Sequence, residues 1–133
     1  MNQTRIGLGY RAGAILVLSS AAHLLMMGWP GIRAELARSA ATPDLVAGVQ
    51  MAWYFGGMAM LVFGVIVVAL FRAAQQGRGV PAAVVPAIGC GYLAFGAIEF
   101  IITGYQPFTV IFMLPAALLL AASAPVRRLP AAP

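Results

Sequence analysis

The stretch LVAGVQMAWYFGGMAMLVFGVIVVALF, residues 45–71, decides the fold: it runs 27 residues without one charged side chain. A membrane's hydrocarbon core is crossed by about 20 helical residues, so this run is long enough to span it. Lipid offers no partner for a bare N–H or C=O, and a helix is the form in which one apolar segment satisfies its own backbone. Three further apolar runs accompany it, which sets the expectation of an all-α, integral membrane four-helix transmembrane bundle. It would be a single transmembrane domain over 1–133, with helices over about 12–29, 45–71, 80–103 and 108–124.

Composition points the same way. Of 133 residues, 62% are hydrophobic and 8% charged, against about 25% charged in a soluble domain. A small soluble domain leaves much of its chain at the surface, so water cannot be the solvent for this many apolar side chains. The net charge of +5 comes from eight arginines set against Glu35, Asp44 and Glu99. The arginines sit in pairs at the ends of apolar runs, which fits orientation signals and anionic lipid headgroups. A nucleic-acid partner would need a clustered basic face, so none is expected. Cys90 is the sole cysteine, which excludes an internal disulfide. It stands between Gly89 and Gly91 and reads as a small packing residue.

The first run resembles a secretory signal, because Arg5 and Arg11 precede it and Ser20-Ala21-Ala22 looks like a cleavage site. The apolar stretch nevertheless continues through Leu24, Leu25, Met26 and Met27, so the segment is expected to stay in the chain as a membrane helix. Trp29-Pro30-Gly31 should end it. Thr42-Pro43-Asp44 should open the second helix, with Thr42 as N-cap, Pro43 in the first turn and Asp44 on the positive end of the helix dipole. Residues 75–79 and 104–107 read as turns. Pro125 should stop the fourth helix. Pro86 falls near a helix start, whereas Pro115 lies inside the fourth helix and is expected to kink it unless a neighbour takes up the freed carbonyl.

The arginines also give an orientation. Arg5, Arg11, Arg72, Arg78, Arg127 and Arg128 share one side of a four-span topology, and Arg33 and Arg38 are alone on the other. The richer side is expected to be cytoplasmic, with both termini inside, in the inner membrane of the cell. The first loop, residues 30–42, is then external, and Ile32, Leu36 and Ala40 line one face of a short amphipathic segment there.

Polar side chains inside a membrane are expensive and point to function by default. Glu99 stands in the third helix and His23, the only histidine, in the first. His23 lies six residues before Trp29, Glu99 five before Gly104, and Gln50 and Trp53 six and nine after Asp44. At about 1.5 Å per residue these groups fall in one layer in the external half of the bilayer. Gly57 and Gly64, and Gly89, Gly96 and Thr103, form small-residue stripes at heptad spacing along which helices approach closely. Glu99 shares one stripe and Gln50 and Trp53 the other, so these groups are expected to face the bundle interior. The same glycine faces (Gly57, Gly64, Gly89, Gly96) would serve a homo-oligomer.

Several chemistries are excluded. One histidine cannot give bis-histidine haem ligation, although a single axial ligand is compatible. No metal site is expected, since there is no two-histidine, cysteine-rich or multi-carboxylate cluster. Ser19 and Ser20 lie four and three residues before His23 on one helix, a poor geometry for a nucleophile relay. No cofactor is implied.

Small four-span multidrug transporters are similar in length and also carry one membrane glutamate. Theirs lies in the first helix, whereas Glu99 stands in the third, and their charge bias is nearly even. The histidine, glutamate and tryptophan set is similar to that of membrane sterol isomerases, which are larger. No contiguous motif links the chain to either family.

The expected function is therefore an intramembrane pocket for a small lipophilic ligand, with the lipid bilayer as surroundings. Glu99 and His23 would be its catalytic acid–base pair, and Gln50, Trp53, Tyr54, Thr103 and Tyr105 its ligand-binding residues. Such a pair would suit isomerisation, epoxide opening or cyclisation. The alternatives are a proton-coupled small transporter exchanging protons on Glu99, and an accessory subunit of a membrane complex.

Overall fold

The computed structural model describes residues 2–26, 28–79 and 81–123, apart from the side chain of Met26. The expectations placed on Pro125, Arg127 and Arg128 lie outside the described residues. The described chain is helical, with no strand. Helix α1 covers Gln3–Ala21 and continues through a π-helical turn, Ala22–Met26. Short α2 covers Trp29–Arg38, α3 Pro43–Gln75, α4 Val84–Ile102, and α5 Val110–Ser123 after a single 3₁₀ turn at Pro107–Thr109.

Three segments are long and apolar enough to cross a membrane, Gln3–Leu25, Pro43–Gln75 and Val84–Ile102, and the protein is accordingly a helical membrane protein. The last apolar helix, Pro107–Ser123, is shorter. Pro115 lies inside it, fully buried.

The helix ends follow from local chemistry. Helix α1 begins well before residue 12 because the Asn2 side chain caps it, accepting from the Arg5 backbone N–H at 3.0 Å. It stops short of Trp29 because the chain turns at Gly28, whose φ is +92°. A Cβ at Gly28 would also meet the Trp53 ring at 2.4 Å, so both conformation and space demand glycine there. Helix α2 then starts at Trp29, with Trp29, Ile32 and Leu36 half-buried along one face. Ala40 does not continue that face: it adopts φ +52° in the turn and is exposed. Thr42 caps α3, accepting from the Leu45 N–H at 3.4 Å, with Pro43 and Asp44 in the first turn. Its 33 residues rise about 50 Å, more than the roughly 30 Å of a hydrocarbon core.

Packing order is α3–α1–α5–α4: α1 lies along α3, α5 along α4, and α1 and α5 join the two pairs. Glycines permit the close approaches. A Cβ on Gly64 would meet the Val17 backbone nitrogen at 3.0 Å, and one on Gly13 the Gly64 carbonyl at 3.3 Å, so α1 and α3 touch backbone to backbone. Ser20 ties the same seam, donating to the Gly57 carbonyl at 2.7 Å. On the other pair, Gly96 receives Met113 and Phe112, and Gly89 receives Leu119 and Leu120. All four stripe glycines are thus buried within the chain.

The buried core comprises Ala12, Leu16, Val67, Phe71, Val85, Leu119 and Ala122. It occupies one end of the bundle, where Tyr10 donates to the Gln75 amide oxygen at 2.9 Å and draws the α1 start to the α3 end. At the other end α3 and α4 diverge.

Candidate functional site

The divergence leaves a cleft of about 600 Å³ directly above the core. Its walls are Phe55, Gly56 and Phe63 of α3 and Ala87, Tyr92 and Phe95 of α4, with Phe112 of α5 and His23 of α1 behind them. Phe63 and Tyr92 meet edge to face across it, centroids 6.1 Å apart, and Phe95 meets Phe112 likewise at 5.0 Å. Between Phe55 and Phe63, or between Ala87 and Phe95, the walls run about 12 Å along the helices. No lining residue is charged.

Small residues hold the cleft open. A Cβ on Gly56 or Gly91 would meet nothing within 4 Å, in contrast to the stripe glycines. These two positions contribute space to the cleft and no helix contact.

His23 is the best-defined polar group on the wall. It sits in the π-helical turn, an irregularity that often marks functional sites. Its ring stacks on Trp53, centroids 3.8 Å apart and planes 12° from parallel. His23 Nε2 lies 3.1 Å from the Trp53 carbonyl oxygen. A carbonyl only accepts, so Nε2 carries the proton, and in the neutral ring Nδ1 is left as an acceptor. In return Trp53 Nε1 donates to the His23 carbonyl at 3.2 Å. The shared layer inferred from residue spacing thus brings His23 and Trp53 together.

The other expected site residues lie elsewhere. Glu99 is half-buried on α4, outside the cleft walls, and among the described residues no hydrogen bond or ion pair joins it to His23. Its backbone carbonyl accepts from the Thr103 hydroxyl at 2.6 Å, which closes the α4 end. Gln50 is exposed rather than inward, because α3 at that height has already passed the end of α1. It borders a shallower hollow with Arg33 and Ala37 of α2. Tyr54 is exposed and leans on Trp29, centroids 6.3 Å apart. Tyr105 is exposed at φ +66° with its ring edge-on to Phe100. Ser20 is held by the Gly57 carbonyl, three residues from His23. Among the described residues no three His, Cys, Asp or Glu side chains gather.

Residue spacing did not reveal Phe55, Phe63, Tyr92, Phe95 and Phe112 as wall residues. Their one visible signal was the pair of glycines off the heptad stripes, Gly56 and Gly91. Comparison with protein-family models, with curated proteins and with solved structures finds no match for this chain.

Proposed function

We propose that this is a four-span protein of the inner membrane, both termini cytoplasmic, that binds a small lipophilic molecule in the cleft between α3 and α4. The cleft carries the reading. Its volume of about 600 Å³ lies within the roughly 300–1,000 Å³ of small-molecule sites, which are mostly apolar with a few placed polar groups. α3 and α4 meet only sparsely, as at Phe63 and Tyr92, and this supports a cleft that opens sideways between them, toward where lipid would stand.

The topology draws on several observations. Pro107–Ser123 has 17 residues, at the lower end of the spanning range of about 17–25. The Tyr10–Gln75 bond puts Arg5, Arg11, Arg72 and Arg78 at one end of the molecule. Arg33 and Arg38 belong to α2, beside the start of α3 at the opposite end. That separation supports an arginine-rich cytoplasmic side, and the one-sided α2 suits the external interface.

Binding is favoured over acid–base catalysis because Glu99 and His23 do not share the cleft. It is favoured over proton-coupled transport because Leu16, Val67, Phe71 and Leu119 close the bundle beneath the cleft.

The test uses the purified protein in micelles and the fluorescent lipophile N-phenyl-1-naphthylamine. Saturable fluorescence is expected, with energy transfer from Trp53, in a Trp29→Phe background. The double substitution Gly56→Leu/Gly91→Leu fills the cleft and should abolish the saturable part while the helical circular dichroism is retained. Equal saturable binding by the filled variant would overturn the proposal.

A further inference from the structure

The polar inventory of the cleft is short, and it constrains the ligand. Among the lining residues only His23 and Tyr92 carry a hydrogen-bonding side chain, and none carries a formal charge of fixed sign. His23 already uses Nε2 on the Trp53 carbonyl. Its neutral ring then offers no further donor. Tyr92 differs. Its ring lines the cleft and is held edge-on by Phe63, while its hydroxyl makes no hydrogen bond to any described residue and is not fully buried. A tyrosine hydroxyl in an apolar setting ordinarily finds a partner, and none is supplied by the described residues.

Depth sharpens the point. Tyr92 is the ninth of the 19 residues of α4, about 12–15 Å from either end, near the middle of a spanning helix. A phospholipid keeps its head at the interface and cannot bring a polar group there. An ion at that depth is strongly disfavoured. A neutral molecule with a single oxygen on an apolar body meets neither obstacle.

Resting on the reading of the cleft as a lipophile site, we infer that its ligand is an uncharged, singly oxygenated lipophile, an alcohol, ketone or ether. It lies wholly within the hydrocarbon layer, and its oxygen accepts from the Tyr92 hydroxyl. The aromatic walls hold the apolar body, and Tyr92 discriminates between an oxygenated molecule and a bare hydrocarbon.

The experiment measures displacement of bound N-phenyl-1-naphthylamine by three probes that share one skeleton: farnesol, the saturated hydrocarbon farnesane, and farnesoate in its anionic form. For the unsubstituted protein, farnesol should compete about tenfold more strongly than farnesane, the discrimination expected from one well-placed hydrogen bond. Farnesoate should compete least. Tyr92→Phe should bring farnesol down to the level of farnesane, and retention of the helical circular dichroism separates loss of the hydroxyl from loss of the fold. Equal competition by farnesol and farnesane, an unchanged ratio in Tyr92→Phe, or preference for farnesoate would each overturn this inference while leaving the cleft a binding site. Absence of any saturable dye signal would remove the binding site itself and this inference with it.

Discussion

The rings of His23 and Trp53 lie face to face at 3.8 Å, and each side-chain nitrogen reaches the other residue's carbonyl. The π-helical end of α1 is thereby fastened to α3 by a reciprocal pair of bonds around one stack. Trp53→Phe keeps an aromatic face but deletes the Nε1 donor, leaving the His23 carbonyl short of a partner. We expect a loss of about 1–2 kcal/mol of stability, measured by thermal unfolding in micelles. His23→Phe should be milder, because the Trp53 carbonyl sits within α3, where helical bonding already serves it. The reverse ranking would show that the bond from His23 Nε2, rather than the one from Trp53 Nε1, holds the joint.

Glycines on the two kinds of face should respond oppositely to alanine. At Gly64 a Cβ would lie 2.8 Å from the Val17 methyl and 3.0 Å from its backbone nitrogen. Gly64→Ala is therefore expected to lower stability by about 1–3 kcal/mol. At Gly56 the new methyl meets open space, so Gly56→Ala should be neutral or stabilise by up to about 1 kcal/mol. Unfolding curves of the two variants side by side decide the matter, and a costly Gly56→Ala would contradict the open geometry of the cleft.

Glu99→Gln separates ligand binding from acid–base chemistry. Because Glu99 is not part of the cleft wall, the variant should bind N-phenyl-1-naphthylamine within about twofold of the parent, under half a kcal/mol. Loss of binding in a folded Glu99→Gln protein would return the glutamate to the site.

Sidedness can be read with single cysteines in a Cys90→Ser background. Ala37, on α2, and Gln76, at the α3 C-cap, are both exposed. A membrane-impermeant maleimide added to spheroplasts should label Ala37→Cys and spare Gln76→Cys until the membrane is lysed. Labelling of Gln76→Cys alone would invert the topology.

Much of the architecture is legible in the chain itself. The uncharged run 45–71 announces α3, Thr42-Pro43-Asp44 marks its start, and Trp29-Pro30 marks the break after α1. The site is only half legible. Distances along helices from their ends bring His23 level with Trp53, and heptad glycines point to close helix contacts. Which helix each stripe would meet is a tertiary fact: Gly57 and Gly64 face α1, while Gly89 and Gly96 face α5. That choice separates α3 from α4 and creates the cleft. It also leaves Glu99 apart from His23, although the two share a calculated depth. An aromatic such as Phe55 or Phe95 looks the same in sequence whether it faces lipid or a cavity, so the wall residues carried no signal of their own.

The order α3–α1–α5–α4 makes the molecule a book with one spine. Among the described residues the two covers, α3 with α1 and α4 with α5, are bound mainly where α1 meets α5, and the page edges meet at the Phe63–Tyr92 ring contact. Opening or closing such a book by a few degrees alters the width of the cleft without repacking either cover. On the proposed reading of the cleft, the thickness and lateral pressure of the surrounding bilayer would act on that angle, and the membrane would help to set which molecules fit.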